Sequence, residues 1–183
     1  MKNLICALIA TTSLFACAAD DPAPAAEQTT PATHADPPDS AVATLLKGGD
    51  YRFALADSEV LSLVKGTCAE QPDPEACLQA ARVEAEGEGV QIEALGGDRV
   101  HYLSYVTAGG ERRAHVEANV TVAPTDEPGI VELVDPEVIR GPELPPQARI
   151  LIEVVSEDTI AMDKALGHPR TGGKRLVFHR APR

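Results

Sequence analysis

The 183-residue sequence predicts a mainly β fold, an antiparallel meander of about eight strands closed into a barrel, with two short helices after the first strand. Three observations carry this. From Gly89 onward apolar side chains recur at every second position, the period of a strand with one face buried. Short turns, most of them containing glycine, join these stretches, so sequence neighbours pair antiparallel. Helical spacing is confined to the residues before Gly87. An open meander of this length would leave two bare edges and an uncovered apolar face, and closure removes both.

Taken in order, Ser40 to Leu46 has room for one or two helical turns capped by Ser40, ended by Gly48-Gly49. Asp50 to Leu55 alternates, with Tyr51, Phe53 and Leu55 on one face and Arg52 and Ala54 on the other. Asp57 is placed to cap a helix whose apolar positions are Val60, Leu61 and Val64, up to Gly66. Asp73, Pro74 and Glu75 start a second helix, which continues through Leu78, Ala81 and Ala85 and stops at Gly87 and Gly89. Val90, Ile92 and Ala94 then alternate as far as the Gly96-Gly97-Asp98 turn, and Val100, Tyr102, Ser104 and Val106 return. After Gly109-Gly110 the cleanest alternation in the chain runs from Ala114 through Val116, Ala118 and Val120 to Val122. Ile130 to Val134 is a fifth strand, followed by a Pro-rich excursion from Pro136 to Pro146 expected not to pair regularly. Arg149 to Val155, Thr159 to Asp163 and Lys174 to Arg180 complete the set.

Charge narrows the function classes. With 16 Lys+Arg against 28 Asp+Glu the net charge is −12, which excludes a phosphate-neutralising surface and hence nucleic acid as a partner. Aromatics make up 3% and Trp is absent, so base stacking and aromatic cages are poorly supplied. Acids crowd Asp57 to Glu93, whereas the residues after Asp163 are basic: Lys164, Arg170, Lys174, Arg175, Arg180 and Arg183. Either the two ends of the domain neutralise each other or they are two solvated faces.

The N-terminus combines Lys2, the apolar run Leu4 to Ala10 and small residues before Cys17, the pattern of a secretory signal too short to span a membrane. Leu14, Ala16 and Cys17 resemble the lipobox of bacterial lipoproteins. The resemblance implies a signal peptide over 1–16 and an acylated Cys17 as the membrane anchor, and Ala18 after it implies the outer membrane, facing the periplasm or the cell surface. The alternative is an ordinary cleaved signal peptide in which Cys17 is incidental. Residues 17–40 follow as an Ala/Pro-rich segment with hardly a large apolar side chain, expected to be a disordered tether. The barrel domain is assigned to 41–183.

Gly49-Asp50-Tyr51 is similar to the Gly-x-Trp start of lipocalin-like barrels, with Tyr in place of Trp. Asp158 to Asp163, followed by Gly173 to Arg180, resembles the closing hairpin of small bacterial lipocalin-like lipoproteins. The two helices after the first strand resemble the lid of fatty-acid-binding barrels. The family so indicated has no assigned activity, so the resemblance implies a fold and an anchor more than a reaction.

Chemistry is sparse. Cys68 and Cys77 are the only cysteines after Cys17; in an oxidising envelope they are expected to pair, a redox or metal pair being the alternative. His34, His101, His115, His168 and His179 show no metal-ligand spacing, and the serines lack a nucleophile-elbow setting. No nucleophile, base and orienting group can be assembled, so the sequence predicts neither an enzyme nor a cofactor. Two readings remain. In the first, an inward stripe including Tyr51, Phe53, Tyr102, Val116, Val120, Ile152, Met162 and Phe178 lines a pocket for a small apolar ligand, or simply fills the barrel. In the second, a tethered interaction or inhibitor protein turns Glu70, Asp73, Glu84, Glu86 and Glu88 toward a basic envelope protein.

Overall fold

A computed structural model describes residues 38–142, 149–171 and 174–182. The expected signal peptide, Cys17 and all but the last residues of the expected tether lie outside the described residues. The elements in order are α1 (Pro38–Leu46), β1 (Gly49–Phe53), a 3-10 turn (Leu55–Asp57), α2 (Val60–Ala69), α3 (Pro74–Gly87), β2 (Glu88–Gly96), β3 (Arg99–Ala108), β4 (Glu111–Pro124), β5 (Ile130–Arg140), β6 (Ile150–Ser156), β7 (Thr159–Asp163) and β8 (Arg175–Arg180). The strands form a closed barrel in sequence order, each pairing antiparallel with the next, and β1 pairs with β8. The expected eight-stranded meander and its closure are therefore present, an architecture consistent with a lipocalin-like barrel.

Alternation sets the register. Tyr51 lies opposite Val90, Ile92 opposite Tyr102, Val100 opposite Val120, Ile152 opposite Met162 and Ile160 opposite Phe178. All of these meet in one core cluster. A second, smaller cluster of Leu55, Val60, Ala81 and Ala85 seats α2 and α3 beneath one end of the barrel, with Phe53 and Leu176 packing against both clusters. At the opposite end α1 inserts Ala41 and Leu45 into the main core and touches β2, β4, β5 and β6.

Several local expectations are corrected. α1 begins at Pro38, so Ser40 lies inside the helix and does not cap it. α2 runs through Gly66 to Ala69, and Asp57 belongs to the preceding 3-10 turn. Asp73 caps α3 as expected, accepting from the Ala76 N–H at 3.0 Å, with Pro74 in the first turn. β5 does not stop at Val134: its ladder with β4 skips from Thr121↔Val134 to Asn119↔Glu137. Asp135, at φ +50°, and Pro136 occupy the resulting bulge, where the missing proline N–H breaks no ladder bond.

Candidate functional site

The expected ligand-lining residues are brought together. Tyr51, Tyr102, Val120, Ile152, Met162 and Phe178 are buried in the main core, and Phe53 and Val116 pack against it partly buried. These contacts are core contacts: Ile152 and Tyr51 are 0% exposed and even Met162 only 8%. Polar atoms inside are few. The Tyr102 hydroxyl donates to Met162 Sδ at 3.9 Å, and full burial pushes its pKa far above the ordinary tyrosine value.

The two depressions described on the protein both lie at the α1 end. One, of about 450 Å³, is lined by Lys47, Glu157, Asp158, Arg180, Ala181 and Pro182; the other, of about 260 Å³, adds Gly48, Gly49 and Asp50. Arg180 is the centre of this end. Its Nη1 donates to Gly48 O at 2.6 Å and its Nη2 to the Tyr51 hydroxyl at 2.8 Å. The guanidinium carbon stands 4.9 Å from the Tyr51 ring centroid. Burial raises the Tyr51 hydroxyl pKa despite the opposing pull of Arg180. Gly49 leaves the room, since a Cβ there would stand 2.5 Å from Arg180 Nη1. Lys47 pairs with Glu157 at 2.7 Å, both largely exposed.

The α2–α3 end is bonded and charged. Cys68 and Cys77 form a disulfide, as expected, joining the last turn of α2 to the first turn of α3. Glu70, Glu84 and Glu86 are exposed on this pair and Asp73 is engaged as its cap. Glu88, at the start of β2, is half-buried; burial lifts its carboxyl above the ordinary range against the pull of Lys164, with Glu84 adding to the rise. The charge asymmetry of the sequence is partly an internal match. Lys164 pulls on the Glu88 carboxyl, and His179 Nε2 lies 2.7 Å from Asp57 Oδ2, whereas Glu59 accepts the backbone N–H of Arg175 and the Arg175 guanidinium pairs with Glu153.

On the barrel exterior three polar clusters escaped sequence reading. Tyr105 faces outward yet is 1% exposed: its ring lies against Gly89, its hydroxyl donates to Asp50 Oδ1, and Arg112 covers it at 4.4 Å. The readable signal was Gly89 itself, a glycine inside a strand pattern, which marks close approach of another group. Elsewhere Glu153 accepts from both Arg170 and Arg175, and through Arg170 holds the β7–β8 connection against β6. His179 Nδ1 also lies 3.1 Å from Thr159 Oγ1, giving a Thr–His–Asp relay with Asp57. His179 and Asp57 are each about half exposed, neither depression reaches the relay, and it links the 3-10 turn to β8 and β7. His101 pairs with Glu117 at 3.2 Å. Among the described residues no cluster of His, Cys, Asp and Glu is arranged to hold a metal ion.

These are the features of a closed, apolar-cored barrel with one bonded end and one polar rim. No protein-family model, no curated protein and no solved structure matches the chain.

Proposed function

We propose that the chain is a cell-envelope lipoprotein, anchored through an acylated Cys17 to the outer membrane, whose lipocalin-like barrel takes up a small apolar molecule. The observation that supports uptake is the main apolar cluster, which runs from α1 to Phe53 and Phe178. An eight-stranded barrel is just wide enough for its own side chains or one small ligand, so the occupant is slender. The test is a native mass spectrum of mildly purified protein, followed by titration with sodium dodecanoate. A stoichiometric adduct supports the reading; an empty protein that also refuses dodecanoate overturns it. For the anchor, Cys17→Ser is expected to move the protein from the membrane fraction to the soluble fraction, and unchanged fractionation refutes acylation at that residue.

A second reading is favoured by two other observations, the core-like burial of the lining residues and the acidic helical pair. Glu70, Glu75, Glu84 and Glu86 are exposed there and form no ion pair among the described residues. In that reading the barrel is a solid scaffold and the pair meets a basic envelope protein. Salt-sensitive recovery of one cationic partner from envelope extract supports it, and loss of that recovery in a Glu84→Lys/Glu86→Lys variant locates the surface. Recovery that is absent, or indifferent to salt, counts against it.

A further inference from the structure

A carboxylate only accepts hydrogen bonds, so the 2.7 Å contact between Asp57 Oδ2 and His179 Nε2 places the ring proton on Nε2. In the neutral ring Nδ1 is then the acceptor, and Thr159 Oγ1, 3.1 Å away, donates its hydroxyl proton to it. A hydroxyl that donates to an imidazole, with a carboxylate on the far nitrogen, is the arrangement that activates an alcohol as a nucleophile. Among the described residues His179 is the one imidazole so placed. His101 meets Glu117 alone, and His168 has Glu127 on Nε2 and the Arg170 backbone N–H on Nδ1.

Backbone bonds hold this line from both sides. Thr159 and His179 are directly opposed in the β7–β8 ladder. Asp57 rides on the 3-10 turn, whose flanks are bonded to β8: Ala54 N–H donates to Val177 O at 2.8 Å, Val177 N–H to Ser58 Oγ at 2.8 Å, and Glu59 N–H to Arg175 O at 2.9 Å. Ser58 is only 5% exposed, so water does not compete for its bond. Thr159 and His179 face away from the core, because their strand neighbours Ile160 and Phe178 face into it. The orientation that nucleophilic catalysis requires is therefore set before any substrate arrives.

We infer that Thr159 is the nucleophile of an acyl-transfer site on the outer wall of the barrel, with His179 as its base and Asp57 as the residue that positions the ring. The site is independent of the barrel interior and of any ligand held there. Thr159 Oγ1 bonds to the acyl carbon, the bond from that carbon to the leaving oxygen breaks, and the Thr159 proton passes to His179 Nδ1 and on to the departing oxygen. Water then gives a proton to the same nitrogen and attacks the acyl carbon; the Thr159 oxygen leaves, recovers that proton, and a carboxylic acid is released. Neither described depression lies at the site, and its described contacts supply a base but no donor pair aimed at an oxyanion. One such donor is worth about 10²–10³-fold, a loss that a good leaving group offsets. The substrate class is therefore a short acyl group on an aryl oxygen.

The experiment uses the full chain and p-nitrophenyl acetate, read as nitrophenolate release. Thr159→Val, Thr159→Ser and His179→Gln are measured beside wild type, with a dichroism spectrum of each to show that it is folded. The exposed lysines and His115 react with this ester in all four proteins, so the comparison between them carries the result. Wild type is expected to exceed Thr159→Val and His179→Gln on the order of tenfold, general-base assistance of about 10²–10⁴-fold being read above that background. Thr159→Ser keeps the hydroxyl and should retain release. Release that Thr159→Val leaves unchanged belongs to imidazole or lysine and overturns the nucleophile, as does a loss that Thr159→Ser shares. Should Thr159→Val not fold, wild type is treated with phenylmethanesulfonyl fluoride and its peptides are mapped. Sulfonylation of Thr159 that His179→Gln prevents supports the site, and an unmodified Thr159 overturns it.

Discussion

Replacing Gly89 by alanine tests whether a ring is built into the outside of the barrel wall. Gly89 lies between Arg52 of β1 and Tyr105 of β3. A Cβ there would stand 2.5 Å from the Tyr105 hydroxyl oxygen, 2.6 Å from its ring carbon Cζ and 2.7 Å from the Tyr51 carbonyl oxygen. No rotation of a flexible tip relieves all three, so the ring must leave. Overpacking of this kind costs about 1–3 kcal/mol. Losing the Tyr105 bond to the Asp50 carboxylate adds about 1.5–3 kcal/mol, for a total of about 2.5–6 kcal/mol. Tyr105→Phe keeps the ring and loses only the hydroxyl; Asp50 still has Arg112 at 2.6 Å, so the cost stays near the lower of these terms. Urea unfolding followed by far-ultraviolet circular dichroism measures both, since the chain has no Trp to report. The midpoint for Gly89→Ala should fall well below that for Tyr105→Phe at an unchanged m value. A Gly89→Ala protein within about 0.5 kcal/mol of wild type, or no worse than Tyr105→Phe, refutes the arrangement.

The remaining predictions are shorter. Burial raises the pKa of all three tyrosines, Tyr105 to about 12 with Asp50 as hydrogen-bond partner adding to the rise. A raised pKa favours the neutral hydroxyl in the folded state, so that stability is complete below about pH 10 and is lost as pH climbs through about 12. Tyrosinate absorbance should therefore appear only with unfolding, and a step near pH 10 with an intact dichroism spectrum contradicts it. Burial pushes the Glu153 carboxyl up, but Arg170 and Arg175 together hold it below the usual range. Its contribution is present above the ordinary glutamate value and disappears as pH falls below it, so the urea midpoint should drop more steeply toward pH 3 in wild type than in Glu153→Gln. Equal slopes would remove Glu153 from the account. Cys68→Ser/Cys77→Ser reopens a loop of nine-residue sequence separation and should cost about 2–3 kcal/mol, read as a lower melting temperature; an unchanged one shows that the bridge does not constrain the unfolded chain. Gly66→Ala, inside α2 with nothing within 4 Å of its Cβ, should gain about 0.5–1 kcal/mol, and a loss would mean that the site is crowded.

The barrel was legible because its information is local and repeated. Within the strands between Val90 and Val122 alternate residues repeat the same instruction, and Gly96-Gly97 and Gly109-Gly110, all at positive φ, reverse the chain between strands. Asp73 and Pro74 announced α3 in the same local way. What stayed hidden depends on distant partners. Pro136 breaks a strand by its own chemistry, yet the two-residue bulge opposite Val120 lets β5 continue. Gly66 resembles a helix end, but the helix it sits in is held by Val60 and Cys68 from below. Tyr105 falls on the polar parity of β3, and nothing nearby in sequence foretells Asp50 and Arg112 across 55 residues and a neighbouring strand. Arg180 is likewise one more basic residue until closure sets it over Tyr51. The candidate site was legible as a list of inward residues; that α1 completes their packing was not, because periodicity alone does not say what sits at a barrel mouth.

The union of β1 with β8 joins residues 51–53 to residues 178–180. The final seam of the cylinder is thus stitched between segments 129 residues apart along the chain. A nascent chain that has not yet emerged as far as β8 lacks the thread for that seam, so its wall stays unzipped and its greasy lining uncovered until residues 175–180 leave the ribosome. Chaperones that shield oily surface until β8 has emerged therefore act directly on the yield of finished protein.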